Sequence, residues 1–213
     1  MLDRYSNRIL ARPLDALAAL LERRGITPDQ VTLAGFAIGV CTVPLLAMTC
    51  YRFALAFILA SRILDGVDGA LARRTTTSDA GGFLDIVCDF IFYSAVVFGF
   101  ALADADRNAL AAAALIFAFI GTGATFLAYA VMAARHGLED PVYPRKSLYF
   151  LGGLTEGTET IVCLCLFCLF PHLFVPLAWC FCTACWITTG TRILGGYRTL
   201  QALSGGERRG GSP

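Results

Sequence analysis

Long apolar runs separated by short polar breaks organise the chain. They recur at 31–50, 53–72, 81–103, 109–133, 148–170 and 175–197, each close to the twenty or so residues a helix needs to cross a hydrocarbon core. The pattern predicts an all-α, polytopic membrane protein with six transmembrane helices. A different pattern precedes the first run: Ile9, Leu10, Leu14, Leu17, Leu20 and Leu21 recur at near-helical spacing among arginines. That predicts an amphipathic helix over 1–27, lying on the inner leaflet or packed on the protein's own cytosolic face. No break marks a second domain, so 1–213 reads as one unit: the helix at 1–27, a bundle over 28–198, and a tail at 199–213. The end of that tail, "SGGERRGGSP", has the composition of a flexible cytoplasmic segment.

Composition sharpens this. At 213 residues, 57% apolar, with a mean hydropathy of +0.66, the chain is too oily for a soluble globule. A cleaved signal is not expected, because Asp15 interrupts the only candidate apolar core. The net charge of +1 is uninformative, and no nucleic-acid partner is expected. Placement of charge says more. Arg4, Arg8, Arg12, Arg23, Arg24, Arg73, Arg74, Arg135, Arg145, Lys146, Arg198, Arg208 and Arg209 fall on one side of the six-span arrangement, and Arg52 and Arg107 on the other. The excess of basic residues predicts that both termini and the loops at 74–80 and 134–147 are cytoplasmic.

Details within the runs add local expectations. Pro28 suits a helix start, with Asp29 as cap. Gly35 and Gly39 form a step of small residues that admits a second helix, inside one subunit as readily as between two. The triplets "CLCLFC" (163–168) and "CFCTAC" (180–185) share a spacing. Cys182 and Cys185 share a helix face while Cys180 points elsewhere, so neither triplet makes a compact ligand set alone. Helix packing is the expected role, with a metal or disulfide pairing between the two spans as the alternative.

The chemistry gathers in "LDGVDGALARR" (64–74) and "GGFLDIVCDF" (81–90). Asp65 and Asp68 are three residues apart and Asp85 and Asp89 four apart, so each pair shares one helix face. Spans two and three are joined by a short turn and can bring all four carboxylates to one pocket at the membrane surface. Four bare carboxylates there would repel and lose their hydration. Arg62 and Arg73 neutralise part of this charge, and an oxygen-only set suits a hard dication, Mg²⁺ or Mn²⁺. Zinc is not expected, since the two histidines, His136 and His172, lie far from the cluster in sequence. Gly66, Gly69 and the small Ala72 would let a phosphate approach the backbone, and Arg73 offers a guanidinium fork for a diphosphate. Any single aspartate here could be an ordinary helix-end charge; the four together, in register with glycines and an arginine, describe a phosphate site.

At these residues the chain resembles the CDP-alcohol phosphatidyltransferase family, whose signature is DxxDGxxAR followed by GxxxDxxxD. Asp65, Asp68, Gly69, Ala72, Arg73, Gly81, Asp85 and Asp89 fit it. Seven residues separate Arg73 from Gly81 where the family usually has eight, and the difference falls in the polar turn. The resemblance implies that Asp65, Asp68 and Asp85 hold two metal ions on the diphosphate of a CDP-linked lipid. It makes Asp89 the general base and a further metal contact. Gly69, Ala72 and Arg73 would line the CDP pocket, with Asp29 and Thr32 also touching the nucleotide. It also implies a homodimer and release of CMP as an acceptor alcohol is phosphatidylated.

Two features bear on the acceptor. Arg145 and Lys146 at the start of span five and Arg192 near the cytoplasmic end of span six suit a phosphorylated acceptor, although snorkelling cations at a membrane edge look the same. Glu156 and Glu159 fall inside span five, one turn apart, and are expected to pair with Arg192, with an intersubunit contact or receipt of an amine as the alternatives. Glycerol 3-phosphate is the leading acceptor; inositol phosphate, serine, choline and phosphatidylglycerol are the alternatives. A reading from another class is a membrane cation transporter built on the acidic cluster.

Overall fold

The structure is a computed structural model describing residues 3–136 and 153–210, with side chains described for 11–136 and 153–202. Among the described residues there are helices and no strands. In order they are α1 (Asp3–Arg23), α2 (Pro28–Val40), α3 (Thr42–Ala47), α4 (Tyr51–Arg74), α5 (Asp79–Ala103), α6 (Ala105–Arg135), α7 (Gly157–Leu169) and α8 (Phe174–Gly210), with a single 3₁₀ turn at Pro171–Leu173 before α8.

Local chemistry sets the boundaries. Gly25, at φ +71, turns the chain out of α1. Thr27, not Asp29, then caps α2: Gln30 N donates to Thr27 Oγ1 at 3.4 Å and Thr27 N donates to Gln30 Oε1 at 3.1 Å. This reciprocal box satisfies two N-terminal amides at once, and Asp29 is left to project elsewhere. The first apolar run breaks into α2 and α3 because Pro44 has no amide hydrogen to continue the ladder. Thr42 Oγ1 donates instead to Gly39 O, at 2.7 Å.

Among the described residues, four stretches are long and apolar enough to cross a membrane: Pro28–Ala47, Asp79–Ala103, Ala105–Arg135 and Pro171–Ala202. The second predicted run, α4, has 24 residues and a length of about 36 Å, but its arginines and aspartates make it less apolar. The fifth run departs from expectation. Its first residues, 148–152, lie outside the described residues, 153–156 is not helical, and α7 begins only at Gly157. Glu156 is therefore the extended N-cap residue of α7 and not a residue within a helix. The tail differs too: α8 continues to Gly210, since Gln201, Ala202 and Glu207 to Arg209 are good helix formers added to a helix already packed upstream.

Two cores hold the helices. The larger centres on Phe92, Phe100, Phe167 and Phe174 with Leu46, Ile58, Leu115 and Leu164. Phe100 stacks on Phe174 at a centroid separation of 4.7 Å, and Phe167 meets Phe174 edge-on at 4.9 Å. Cys163, Cys168, Cys182 and Cys185 are buried in this core, and all nine cysteines are free. Cys182 Sγ donates to Ala114 O at 3.5 Å, while Cys180 is exposed.

The smaller core seats α1. Ala18 is fully buried with Val31, Val67, Ala70 and Leu71, and Leu14 and Leu21 pack against them. Arg74 pairs with Glu22 at 2.8 Å and Asp15 at 3.1 Å. Leu17 and Leu20 remain exposed on α1, so one apolar strip packs on the protein while another faces outward.

Close helix approach is set at Gly39. A Cβ there would lie 2.6 Å from the Phe92 ring and 2.8 Å from Ser61 Oγ. The Gly35–Gly39 step thus joins α2 to α4 and α5 within one chain. Gly39→Ala is expected to lower stability by about 1–3 kcal/mol through overpacking. Gly190→Ala, where an added Cβ meets nothing within 4 Å, is expected to be neutral or stabilising by up to about 1 kcal/mol. Thermal melts in one detergent decide this; equal melting of the two variants would contradict the packing.

Candidate active site

α4 carries Asp65 and Asp68 and α5 carries Asp85 and Asp89. Ser78 starts α5 by accepting from Gly81 N at 3.0 Å, which places Asp85 and Asp89 about two and three turns inside the helix. α2 packs closely on both α4 and α5, and these approach each other less closely than either approaches α2. The carboxylates meet across the space that α4 and α5 leave, not along a flush pair of neighbours as the short turn predicts.

The four aspartates separate into two groups. Asp65, Asp68 and Asp85 each offer a carboxylate oxygen, all within 4.8 Å of one another. Asp68 is buried and accepts from Thr32 Oγ1 on α2 at 2.5 Å. Asp89 stands with a cation instead. Arg62 Nη1 donates to Asp89 Oδ1 at 2.5 Å and lies 3.4 Å from Asp65 Oδ1. Tyr93 OH donates to Asp89 Oδ2 at 3.3 Å. The three-carboxylate set has the donor chemistry of a hard dication site, oxygen-only and net negative. A dication there would offset a repulsion that Arg62 alone does not balance.

The remaining predicted residues fall as follows. Gly69, Ala72 and Arg73 lie on the last turns of α4, with Arg73 exposed and its Nη1 3.4 Å from where a Gly69 Cβ would stand. Asp29 reaches the start of α5: its Oδ1 is 3.0 Å from the position of a Gly81 Cβ. Thr32 joins the site through Asp68. Gly66 serves a different end from the phosphate approach expected of it, because Leu14 of α1 occupies that notch, 2.8 Å from the Cβ position. Arg145 and Lys146 lie outside the described residues.

A cavity of about 720 Å³ opens between α4, α5, α6, α7 and α8, with Asp65, Asp89, Arg62, Tyr93, Glu156 and Arg192 among its walls. Arg192 is buried and its Nη1 donates to Thr122 O at 3.2 Å. Glu156 Oε1 accepts from Gly153 N at 3.2 Å. Thr188 Oγ1 accepts from Leu154 N and Thr155 N at 3.1 and 3.2 Å, which fixes the non-helical entry to α7 against α8. Arg192 and Glu156 therefore both line the cavity, each anchored to backbone.

Tyr93 and Thr122 escaped the reading of the sequence. Tyr93 carries a visible signal, four residues after Asp89 on the same face. Thr122 carries none, because it acts through its carbonyl.

A fold of helices with this acidic signature defines a class. The family model for CDP-alcohol phosphatidyltransferase matches residues 25–191, and the chain belongs to that family. It is accordingly an enzyme of the phosphatidyltransferase class. The chain is 55% identical over 203 residues to inner membrane protein YnjF of Escherichia coli (strain K12), covering 95% of this chain and 98% of that one. It is 37% identical over 121 residues to the phosphatidylinositol phosphate synthase of Streptomyces avermitilis, a match spanning 54% of this chain and 49% of that protein. In three dimensions it is similar to the Mycobacterium tuberculosis phosphatidylinositol phosphate synthase crystallised with manganese and citrate, at a TM-score of 0.67 and 25% identity over 86% of this chain and 88% of that one. The same synthase with CDP-DAG bound shares the fold, at a TM-score of 0.67 and 24% identity over 87% of this chain and 94% of that one.

The Thr32 hydroxyl is the anchor of Asp68. Thr32→Val is expected to weaken Mn²⁺ binding by about 10–100-fold, the usual effect of removing a partner of a ligand. Electron paramagnetic resonance of Mn²⁺ titrated into purified protein reads this directly. Undiminished affinity would mean that Asp68 needs no anchor.

Proposed function

We propose that the protein transfers the phosphatidyl group of CDP-diacylglycerol to a hydroxyl of a phosphorylated polyol, releasing CMP. The observation that carries this is the convergence of Asp65, Asp68 and Asp85 beside a cavity that also holds Asp89 and Arg192.

Asp65, Asp68 and Asp85 would hold Mg²⁺ or Mn²⁺, with Asp89 at their edge. When bound, such ions supply charge neutralisation at the diphosphate. Two are proposed, as the resemblance of the four-aspartate pattern to the family's implies. The manganese in the structure of the similar synthase supports the class of ion.

Gly69, Ala72 and Arg73 border the CDP moiety, with Asp29 and Thr32 across from them on α2. The acceptor hydroxyl lies in the cavity, where Asp89 takes its proton as the new oxygen–phosphorus bond forms. The bond from that phosphorus to CMP breaks, and CMP leaves. Positioning and charge account for most of such a transfer. Arg192, held by Thr122 O, receives the acceptor's phosphate, with Arg145 and Lys146 as further cations. Inositol phosphate is the first acceptor to test, because the similar synthases make phosphatidylinositol phosphate. Glycerol 3-phosphate, the leading expectation from sequence, suits the same Arg192 and comes second.

The whole chain, 1–213, acts as one domain and forms a homodimer in the bacterial inner membrane; the similarity to inner membrane protein YnjF supports the location. α4 and the region ending in α7 complete six spans with both termini cytoplasmic. The outward strip of α1, Leu17 and Leu20, lies in the inner leaflet, where the diacylglycerol tails also stay while CDP faces the cytosol.

The test is CMP release from CDP-diacylglycerol with Mn²⁺ or Mg²⁺ and a panel of inositol phosphate, glycerol 3-phosphate, serine and choline. Turnover is expected with a phosphorylated polyol only; turnover with serine or choline alone would contradict the acceptor class. Asp89→Asn should lower kcat by about 10²–10⁴-fold, the range of general-base catalysis, with CDP-lipid binding retained. Arg192→Gln should raise the acceptor KM by about tenfold or more through loss of a charge-assisted contact, while the KM for CDP-diacylglycerol stays the same. A shift in the CDP-diacylglycerol KM instead would place Arg192 outside the acceptor subsite.

A further inference from the structure

Glu156 stands where local stability gives little reason for a glutamate. It is the extended N-cap residue of α7, and its side chain makes no capping bond. Serine, threonine, aspartate and asparagine are the residues that favour such a position. The side chain turns back instead, Oε1 accepting from Gly153 N at 3.2 Å. The backbone around it is held firmly. Thr188, fully buried on α8, takes the amides of Leu154 and Thr155, and Thr160 Oγ1 donates to Glu156 O at 2.9 Å.

A line of contacts places Glu156 between the two ends of the cavity. At one end Tyr93 OH donates to Asp89 Oδ2 at 3.3 Å and lies 3.9 Å from where a Cβ on Gly157, the next residue in the chain, would stand. At the other end a Cβ on Gly153 would run into Thr188 Cγ2 and stand 3.2 Å from Arg192 Nη2, so glycine lets the turn lie against the arginine. Asp89, Tyr93, Glu156 and Arg192 all line the one cavity. A molecule reaching from Asp89 to Arg192 therefore passes Glu156. A carboxylate repels phosphate and accepts from hydroxyls, and its two oxygens offer about four lone-pair sites, of which the Gly153 amide takes one.

We propose that Glu156 is a specificity-determining residue for the acceptor: its carboxylate accepts from a hydroxyl other than the one that attacks phosphorus, and so selects polyols over phosphorylated acceptors with a single further hydroxyl. The inference rests on the reading of this cavity as the acceptor subsite. With the acceptor's phosphate at Arg192 and its attacking hydroxyl at Asp89, its middle lies against the turn at 153–156. Only a second hydroxyl there gives Glu156 a donor. An acceptor without one leaves a half-buried carboxylate facing apolar carbon, which is unfavourable. Phosphate at Arg192 sets the class of acceptor, and Glu156 then reads its hydroxyls.

The test gives full-length protein in lipid nanodiscs, with CDP-diacylglycerol and Mn²⁺, each acceptor beside its deoxy form. Inositol phosphate is set against its monodeoxy forms, and glycerol 3-phosphate against propane-1,3-diol phosphate, which lacks the middle hydroxyl. CMP release is read as kcat/KM for each. The natural protein should favour the parent acceptor over at least one deoxy form by about 10–100-fold, the usual effect of a hydrogen bond to a charged group. Glu156→Gln, which can keep the Gly153 contact but bonds only as a neutral group, should lose at least about threefold of that preference. Glu156→Ala should lose nearly all of it, and the KM for CDP-diacylglycerol should stay within about threefold in both. A natural preference in Glu156→Ala, however far its turnover falls, would make Glu156 a support of the turn alone and overturn the proposal. A matching rise in the KM for CDP-diacylglycerol would overturn it too, by placing Glu156 on the nucleotide side. Where Glu156→Ala does not fold, Glu156→Gln decides by the same ratio: a loss of threefold or more supports the role, and the natural ratio refutes it. No turnover with either parent acceptor removes the transfer reading itself. Turnover in the natural protein with no preference for the parent removes the role of Glu156 alone.

Discussion

Concentrated negative charge in a poorly hydrated place is the constraint around which this protein is arranged. A carboxylate taken from water into the edge of a bilayer loses solvation worth far more than any single hydrogen bond returns, and a second carboxylate nearby adds repulsion. Four of them on two helices are tolerated only if cations are close. Arg62 provides one, shared between Asp65 and Asp89. The Asp65, Asp68 and Asp85 oxygens, gathered within 4.8 Å, are left as an oxygen-lined trap for more positive charge. A phosphate-handling dication with open positions answers that need and gives the site its chemistry.

The helices exist in this arrangement largely to hold that geometry. Small residues bring α2 against α4 and α5, and the Phe92 ring fills the notch at Gly39. α2 in turn supplies Thr32 to Asp68 and Asp29 to the mouth of the site. On the far side the α7 entry is tied to Thr188, and Arg192 to Thr122, so the cavity wall opposite the carboxylates is also fixed. Precision at the acids depends on a frame of ordinary packing contacts.

Much of the site could be read from spacing alone. Intervals of three and four residues put the aspartates on common helix faces, and that reading survives because it depends only on helix geometry. The runs at 53–72, 81–103 and 109–133 were equally legible and correspond to α4, α5 and α6. What was lost involved competition between neighbours or reach between elements. Thr27 wins the cap from Asp29 because Gln30 completes a box. Pro44 splits a uniformly apolar run. Glu156 leaves the helix because backbone amides at 154 and 155 find Thr188 on a distant part of the chain. Gly66 looked like a phosphate notch until Leu14 was found in it. Arg62 was visible as a counter-charge, but its pairing with Asp89 depends on where α5 stands, which no local pattern encodes.

The measurement that bears most directly on the central claim is an anomalous difference map at the manganese edge from crystals of the protein grown with Mn²⁺ and CDP. The account predicts density among the Asp65, Asp68 and Asp85 oxygens, within about 2.0–2.6 Å of each, the oxygen–metal range of hard dications. A map without a peak there, with the three carboxylates turned apart and satisfied by arginine or water, would contradict it.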